Sequence, residues 1–101
     1  MAVYETLKNA IAHKRCVRVF AGGRSRDICP QALGKKDGKP RLLAFQYEGG
    51  SVSGLAAGGQ WRTFFLTDIA AAALIEGAWQ TGPSVVAKTE ASLDQVECQA
   101  R

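Results

Sequence analysis

The sequence predicts a mainly β domain, with one N-terminal helix followed by about five short strands in a small barrel or sandwich. Three observations support this class. Residues 2–14 carry apolar side chains at helical spacing, the following residues form short β-branched and aromatic runs, and glycine-containing turns separate those runs. A chain of 101 residues fits one domain with a modest core.

The helix is predicted over Ala2–Lys14, and the basic residues His13, Lys14 and Arg15 suit its negative C-terminal end. Four residues spaced i, i+4, i+7 and i+8 form its apolar face: Val3, Leu7, Ala10 and Ile11.

Two strands are predicted next, over Cys16–Ala21 and Arg24–Leu33. The Gly22-Gly23 pair between them is typical of a tight hairpin turn. Pro30 has no N–H to donate, so the second strand either lies at an edge or bends there.

Asp37-Gly38 supplies the chemistry of the following turn. The third strand, Arg41–Tyr47, is apolar on both faces, which predicts a central position in the sheet. The segment Glu48–Gln60 is rich in glycine, serine and alanine and predicts a mobile connection, with the role of a flap over one end of the barrel as one reading.

The stretch Trp61–Ile69 predicts a strand, because aromatic and β-branched residues favour a pleated, half-buried surface. Alternation places Arg62 in line with Phe64 and Leu66 on one face. If that face lines a small barrel, Arg62 lies at its rim. The alternative is an arginine whose stem covers apolar surface while its head stays in water.

A last strand is predicted over Ala72–Glu76, so that residues 1–79 form the barrel domain. Residues 80–101 form a polar C-terminal tail, in which Ala91–Ala100 could make a short helix through Leu93, Val96 and Ala100. Such a helix is marginal in water unless it docks.

The charge is asymmetric along the chain. The residues before Glu48 include 10 Lys or Arg against 3 acids, and those from Glu48 onward include 3 against 6. A basic front half suits an anionic partner, and the alternative is that these charges only solvate the surface.

Catalysis is not expected. The single histidine, His13, has no partner acid or nucleophile, and three cysteines at irregular spacing make a poor disulfide framework or zinc site. We expect Cys16 and Cys29 to be buried and Cys98 to be more exposed. No metal or cofactor is predicted. The absence of a signal-peptide pattern and of a long apolar run leads us to expect a cytoplasmic protein.

The order of motifs resembles the WYL domain family, small Sm-like or SH3-like β-barrels best known from bacterial transcription regulators. The resemblance runs from about Leu7 to Trp79. It includes the strand Val17–Phe20, the segment Arg26–Gly34 that runs into a proline, and Arg62–Ile69, which is similar to the family's Arg-x-Phe-x-Leu-Asp-Arg-Ile run.

Two motifs depart from the family pattern. The Trp-Tyr-Leu triplet falls at Arg41-Leu42-Leu43, where only the last leucine agrees, and the second arginine of the late motif falls at Asp68. The regulators' N-terminal winged helix is also missing from this sequence, so it resembles a free-standing, divergent relative. The resemblance implies a five-stranded barrel that binds a nucleotide or nucleic acid through a basic patch. It carries that role over to Arg62 alone.

The leading hypothesis is a non-enzymatic binding or regulatory module whose anionic ligand, a nucleotide or short single strand, meets cations and stacking rings. The alternative is a protein-interaction or dimerisation module that uses free strand edges. The candidate ligand-binding residues are Arg62, Arg41, Arg18, Trp61, Tyr47 and Phe20.

Overall fold

The computed structural model describes residues 2–49 and 59–100, which form two helices, six strands and one short 3-10 turn. Every strand pairing is antiparallel, in the order β4-β3-β2-β1-β5, and β6 pairs with β2. The elements are α1 (Ala2–His13), β1 (Cys16–Ala21), β2 (Arg24–Lys36), β3 (Lys39–Gly49), β4 (Gln60–Phe65), the 3-10 turn (Leu66–Asp68), β5 (Ile69–Ile75), α2 (Val85–Ser92) and β6 (Gln95–Gln99).

The predicted helix is confirmed, and its apolar stripe lies on the sheet with Leu7, Ala10 and Ile11 buried. It ends one residue earlier than predicted because Lys14 adopts a left-handed conformation, with φ of 52°. The N–H of Arg15 then bonds to the carbonyl of Ala10 at 2.9 Å, which closes a Schellman-type cap without the usual glycine.

Both predicted hairpin turns are present. Gly22 and Gly23 have φ of 62° and 74°, and Asp37 and Gly38 have φ of 52° and 77°. Two successive positive φ values are the signature of a type I′ turn, whose twist matches that of the flanking strands.

Strand β2 has three partners. One side pairs with β3 along most of its length, while the other side pairs with β1 from Arg24 to Ile28 and with β6 from Ala32 to Lys35. Pro30 lies in the gap between these two partners, so its missing N–H costs no ladder bond on that side. Both predicted alternatives apply at Pro30. In the described residues β2 has no strand partner there on one side, although it is an inner strand of the sheet, and the β2–β3 register shifts between Pro30 and Ala32.

The third strand is central, as predicted, with β2 on one side and β4 on the other. Its inner face joins a core beneath α1 that includes Leu42 and Ala44. Its outer face joins a smaller cluster formed by Ala32, Leu43 and Leu93, against which Trp61 packs. The connection predicted over Glu48–Gln60 falls largely on residues 50–58, outside the described residues.

The prediction of one strand over Trp61–Ile69 is wrong. The strand ends at Phe65, and the 3-10 turn leads into β5. A straight strand would send Ile69 to the face opposite Phe64, whereas all of Phe64, Leu66 and Ile69 are buried in the same core. The 3-10 turn shifts the alternation of side chains between the two faces, so that all three side chains lie in the core. The predicted last strand is confirmed, but it begins at Ile69.

This turn also curls the sheet, because it joins the two strands at opposite ends of the five-strand path. Only Leu66–Asp68 separate β4 from β5, so these two ends of the sheet come within about 15 Å of each other. No hydrogen-bonded pairing joins β4 to β5 in the described residues. The sheet is therefore strongly curved but not closed.

The tail forms part of the sheet. The prediction of a helix over Ala91–Ala100 is wrong, because α2 ends at Ser92 and the next residues form β6. Pairing with β2 supplies backbone hydrogen bonds that a short isolated helix could not match. Cys16 and Cys29 are buried free thiols, as predicted, and Cys98 is half-buried against the main core.

Gly34 allows the tail to lie on β2. A Cβ built at Gly34 would lie 1.8 Å from the carbonyl oxygen of Gln95. We expect Gly34→Ala to detach β6 and to lower the free energy of unfolding by about 1–3 kcal/mol, the range for overpacking. Urea denaturation measures the loss, and hydrogen exchange at β6 locates it.

The matched control is Gly38→Ala, at a turn glycine whose added Cβ would meet nothing within 4 Å. It introduces only the cost of a positive φ, about 1 kcal/mol, and leaves exchange at β6 unchanged. Equal protection of β6 in both variants would contradict a steric role for Gly34.

Candidate anion-binding site

Arg62 lies on the inner face of the sheet, in line with the buried ring of Phe64, as the alternation predicts. Its Nε donates a hydrogen bond of 3.1 Å to Oε1 of Gln46, a side chain with no exposed surface. This places Arg62 where the apolar core gives way to polar groups at one end of the sheet.

Arg26 reaches the same place from β2. Its guanidinium carbon lies 5.4 Å from the centre of the Phe64 ring, although β2 and β4 are not neighbours in the sheet. The contact spans the concave inner side, so it depends on the curvature. We call Arg26, Gln46, Arg62 and Phe64 the inner rim.

The environment of Arg26 is unfavourable for a cation. Burial lowers the pKa of Arg26 below its usual value, and the charges of Arg62 and then Arg24 lower it further. Its Nε is buried and has no hydrogen-bond partner among the described residues. Because a guanidinium keeps its proton at neutral pH, the rim holds a partly desolvated cation close to other cations.

The other five predicted site residues lie on the outer face. Arg41 stacks on Phe65, with 5.0 Å from its guanidinium carbon to the ring centre, and donates to Oγ1 of Thr63 at 2.8 Å. Lys39 lies over the same ring at 6.0 Å. This is a second basic-aromatic group, on the side of the sheet opposite Arg62.

Two of the predicted rings hold the structure together. Trp61 donates through Nε1 to the carbonyl of Pro83 at 2.8 Å and packs edge-on against Phe45 at 5.4 Å. The pKa of Tyr47 is raised, first by burial and then by a hydrogen bond with Cys16. Both ring systems are therefore engaged within the fold.

Arg18 forms a two-point ion pair with Asp27, with N–O distances of 2.7 and 3.0 Å. Phe20, two residues along the same strand, leaves 47% of its surface exposed. The structure therefore places Arg18 and Phe20 beside each other, but at a distance along the sheet from Arg41 and on the other face from Arg62.

Sequence reasoning missed Arg26 and Gln46 as partners of Arg62. Arg26 lies two residues before the buried Ile28, and Arg62 lies two residues before the buried Phe64. Because residues two apart in a strand share a face, this spacing could have placed both arginines on the inner face. Their meeting across the sheet depends on curvature, which alternation alone does not specify.

Comparisons with protein-family models, with curated proteins and with solved structures give no match. Within residues 2–49 and 59–100, no group of three or more His, Cys, Asp or Glu side chains could hold a metal ion. Neither helix in the described part of the chain is long and apolar enough to cross a membrane. Asp68, which departs from the late Arg-x-Phe-x-Leu-Asp-Arg-Ile pattern that the sequence resembles, is exposed in the 3-10 turn.

The cluster of charges at the inner rim leads to a prediction about the stability of the ligand-free protein. We expect Arg26→Met to leave the free energy of unfolding unchanged or to raise it by about 1 kcal/mol, because methionine can cover Phe64 without a desolvated charge. Chemical denaturation at low ionic strength measures the change.

The control is Arg26→Lys, which keeps the charge but loses the flat guanidinium above the ring, and should be less stable than Arg26→Met. A loss of several kcal/mol in Arg26→Met would show instead that the guanidinium is a structural anchor.

Proposed function

We propose that this domain is a non-enzymatic ligand-binding module that holds a phosphate group of a nucleotide or short single-stranded nucleic acid at the inner rim. The observation that carries the proposal is the cluster of like charges at the half-buried Arg26, which has Arg62 and Arg24 as neighbours and an Nε with no partner among the described residues. The Nε of Arg41 on the outer face also has no partner there, so the charge cluster is what distinguishes the rim. An anion there would complete a hydrogen bond and offset the repulsion in one step.

The magnitudes favour an anion of high charge density. At an effective dielectric constant of about 20, one negative charge about 4 Å from a guanidinium gains about 4 kcal/mol, before the cost of desolvating it. Arginine also matches phosphate geometry with paired donors. Two arginines converging on one group would combine both advantages.

The aromatic contacts refine the leading hypothesis. Trp61 and Tyr47 have partners within the fold, and Phe64 is buried under Arg26. Stacking on a base at the rim therefore has little support from these rings. We propose that the phosphate, more than the base, is recognised, which implies binding that tolerates any sequence.

The resemblance to WYL domains supports the same direction, since it implies an anion-binding role for Arg62. We propose that the curved sheet is an incompletely closed Sm-like or SH3-like barrel whose inner end is the binding mouth. We also propose a role in transcription regulation and a cytoplasmic location, to which the free thiols of Cys16 and Cys29 are suited.

Fluorescence anisotropy with a labelled short oligothymidylate, titrated across a salt series, tests the proposal. We expect Arg26→Met and Arg62→Met each to weaken binding and to reduce the slope of log affinity against log salt by about 0.7. Unlabelled pyrophosphate should compete with the oligonucleotide, because the phosphate is the recognised group.

Arg41→Met is the matched control, since Arg41 is a ring-stacked arginine on the outer face. Binding that is equally sensitive to Arg41→Met, or insensitive to both rim substitutions, would show that the rim is not the site.

A second candidate function, a homodimerisation module, is favoured by the edge of β5 opposite β1, which has no strand partner within residues 2–49 and 59–100. No charged residue or proline occurs in Ile69–Ile75, and neighbouring Phe20 and Leu74 are 47% and 39% exposed. Such an edge lacks the usual protection against pairing with another strand. Antiparallel pairing of β5 with its copy would close a two-fold dimer.

Size-exclusion chromatography with light scattering distinguishes this candidate. We expect a mass twice the 10.8 kDa of the chain, converted to the monomer by Ala71→Lys on β5. Val86→Lys, at an exposed valine of α2, is the control and should not change the mass. A monomer in the unsubstituted protein would exclude dimerisation through β5.

A further inference from the structure

Cys16 and Cys29 face each other across two neighbouring strands. The β1–β2 register pairs Val17 with Ile28, and one further step brings Cys16 opposite Cys29. Their sulfur atoms lie 3.6 Å apart, and both residues have no exposed surface. Directly opposed residues in an antiparallel pair have Cα atoms about 4.5–5.5 Å apart, within the range of about 4.4–6.8 Å that a disulfide requires.

The segment that follows β5 covers both thiols. Cys16 donates through Sγ to the carbonyl of Ala78 at 3.4 Å, and Cys29 accepts a hydrogen bond from the N–H of Gln80 at 3.1 Å. We call residues 77–83 the strap.

Two further contacts fasten the strap to the sheet. Gln31 donates to the carbonyl of Gln80 at 3.2 Å and accepts from Oγ1 of Thr81 at 3.1 Å. At the C-terminal end of the strap, Nε1 of Trp61 donates a hydrogen bond to the carbonyl of Pro83. Access to the sulfurs therefore depends on whether the strap is in place.

The covered state protects the thiols. Burial raises the pKa of Cys29 to about 12, so this group remains a thiol at neutral pH while the strap is closed. A thiol reacts slowly with oxidants because the thiolate is the nucleophile. Opening of the strap would hydrate the sulfurs and admit an oxidant together.

We propose that Cys16 and Cys29 are a modification site, at which hydrogen peroxide joins them in an intramolecular disulfide when the strap opens. One sulfur, after losing its proton to water, attacks the peroxide; the O–O bond breaks, and a sulfenic acid forms as the leaving oxygen takes up a proton to become water. The second sulfur attacks the sulfenic sulfur, the S–O bond breaks and a second water leaves with the remaining thiol proton.

The disulfide would also change the strap. Cys16 would no longer have the S–H that it donates to Ala78, and the hydrogen bond between Cys16 and Tyr47 would be altered. The oxidised protein would therefore hold the strap less firmly, and the change does not depend on the anion-binding proposal.

The test uses the full chain with Cys98→Ser, so that no third thiol competes. The protein is treated with hydrogen peroxide, and free thiols are then blocked under denaturing conditions. We expect a species that carries no blocking group and whose intact mass is about 2 Da below that of the reduced protein, because two thiol hydrogens are lost. Tryptic mapping should join residues 16–18 to residues 27–35. Treated protein that retains two blockable thiols, or forms only intermolecular disulfides, would overturn the proposal.

The role of the strap needs its own variant. Trp61→Phe keeps a ring against Phe45 but removes the hydrogen bond to Pro83, and should speed disulfide formation several-fold. Phe20→Ala removes an exposed ring away from the strap and should leave the rate unchanged. An unchanged rate in Trp61→Phe would show that the strap does not control access. Faster oxidation in Phe20→Ala as well would indicate general loosening of the fold, and would overturn the same part of the proposal.

Discussion

The pairing of β2 with three other strands is the constraint on which the structure depends. On one side of β2, the first half of the strand pairs with β1 and the second half pairs with β6. On the other side, β2 pairs with β3. The change of partner occurs at Pro30, where no N–H is available, and at Gln31, whose carbonyl accepts from the N–H of Ala100 at 2.7 Å. The backbone at this point therefore determines both the bend of the sheet and the position of the tail.

The bend separates the molecule into two chemically different sides. The concave side holds the main core and, at one end, the inner rim with Arg26 and Arg62. The convex side holds the strap, the two opposed thiols and a small apolar cluster around Leu43. An anion at the rim and an oxidant at the thiols would therefore act on opposite faces of the same strands.

The sequence alone predicted the elements that depend on local residue patterns. The helix, the first three strands and both type I′ turns follow from apolar spacing and from Gly22-Gly23 and Asp37-Gly38. The corner between β4 and β5 was missed because a run of apolar residues does not show where alternation changes. The tail was assigned to the wrong element because β6 is stabilised by β2, which is remote in sequence.

The candidate site was predicted only in part. Arg62 lies beside Phe64 on one face, as alternation requires, but its neighbour Arg26 arrives through curvature. Trp61 and Tyr47 were sensible stacking candidates by residue type, and nothing local indicates that Pro83 and Cys16 engage them. The relationship to WYL domains stays a prediction.

The late position of β6 has a consequence during synthesis on the ribosome. Ala32 and Leu43 leave the ribosome long before Leu93, the residue that buries them, has been translated. Until then the convex side of the nascent chain presents apolar surface and an unpaired half of β2, which are the features that chaperones bind and that promote aggregation. Burial of this surface therefore has to wait until Leu93 and β6 have been translated, and that delay sets how long the surface remains open.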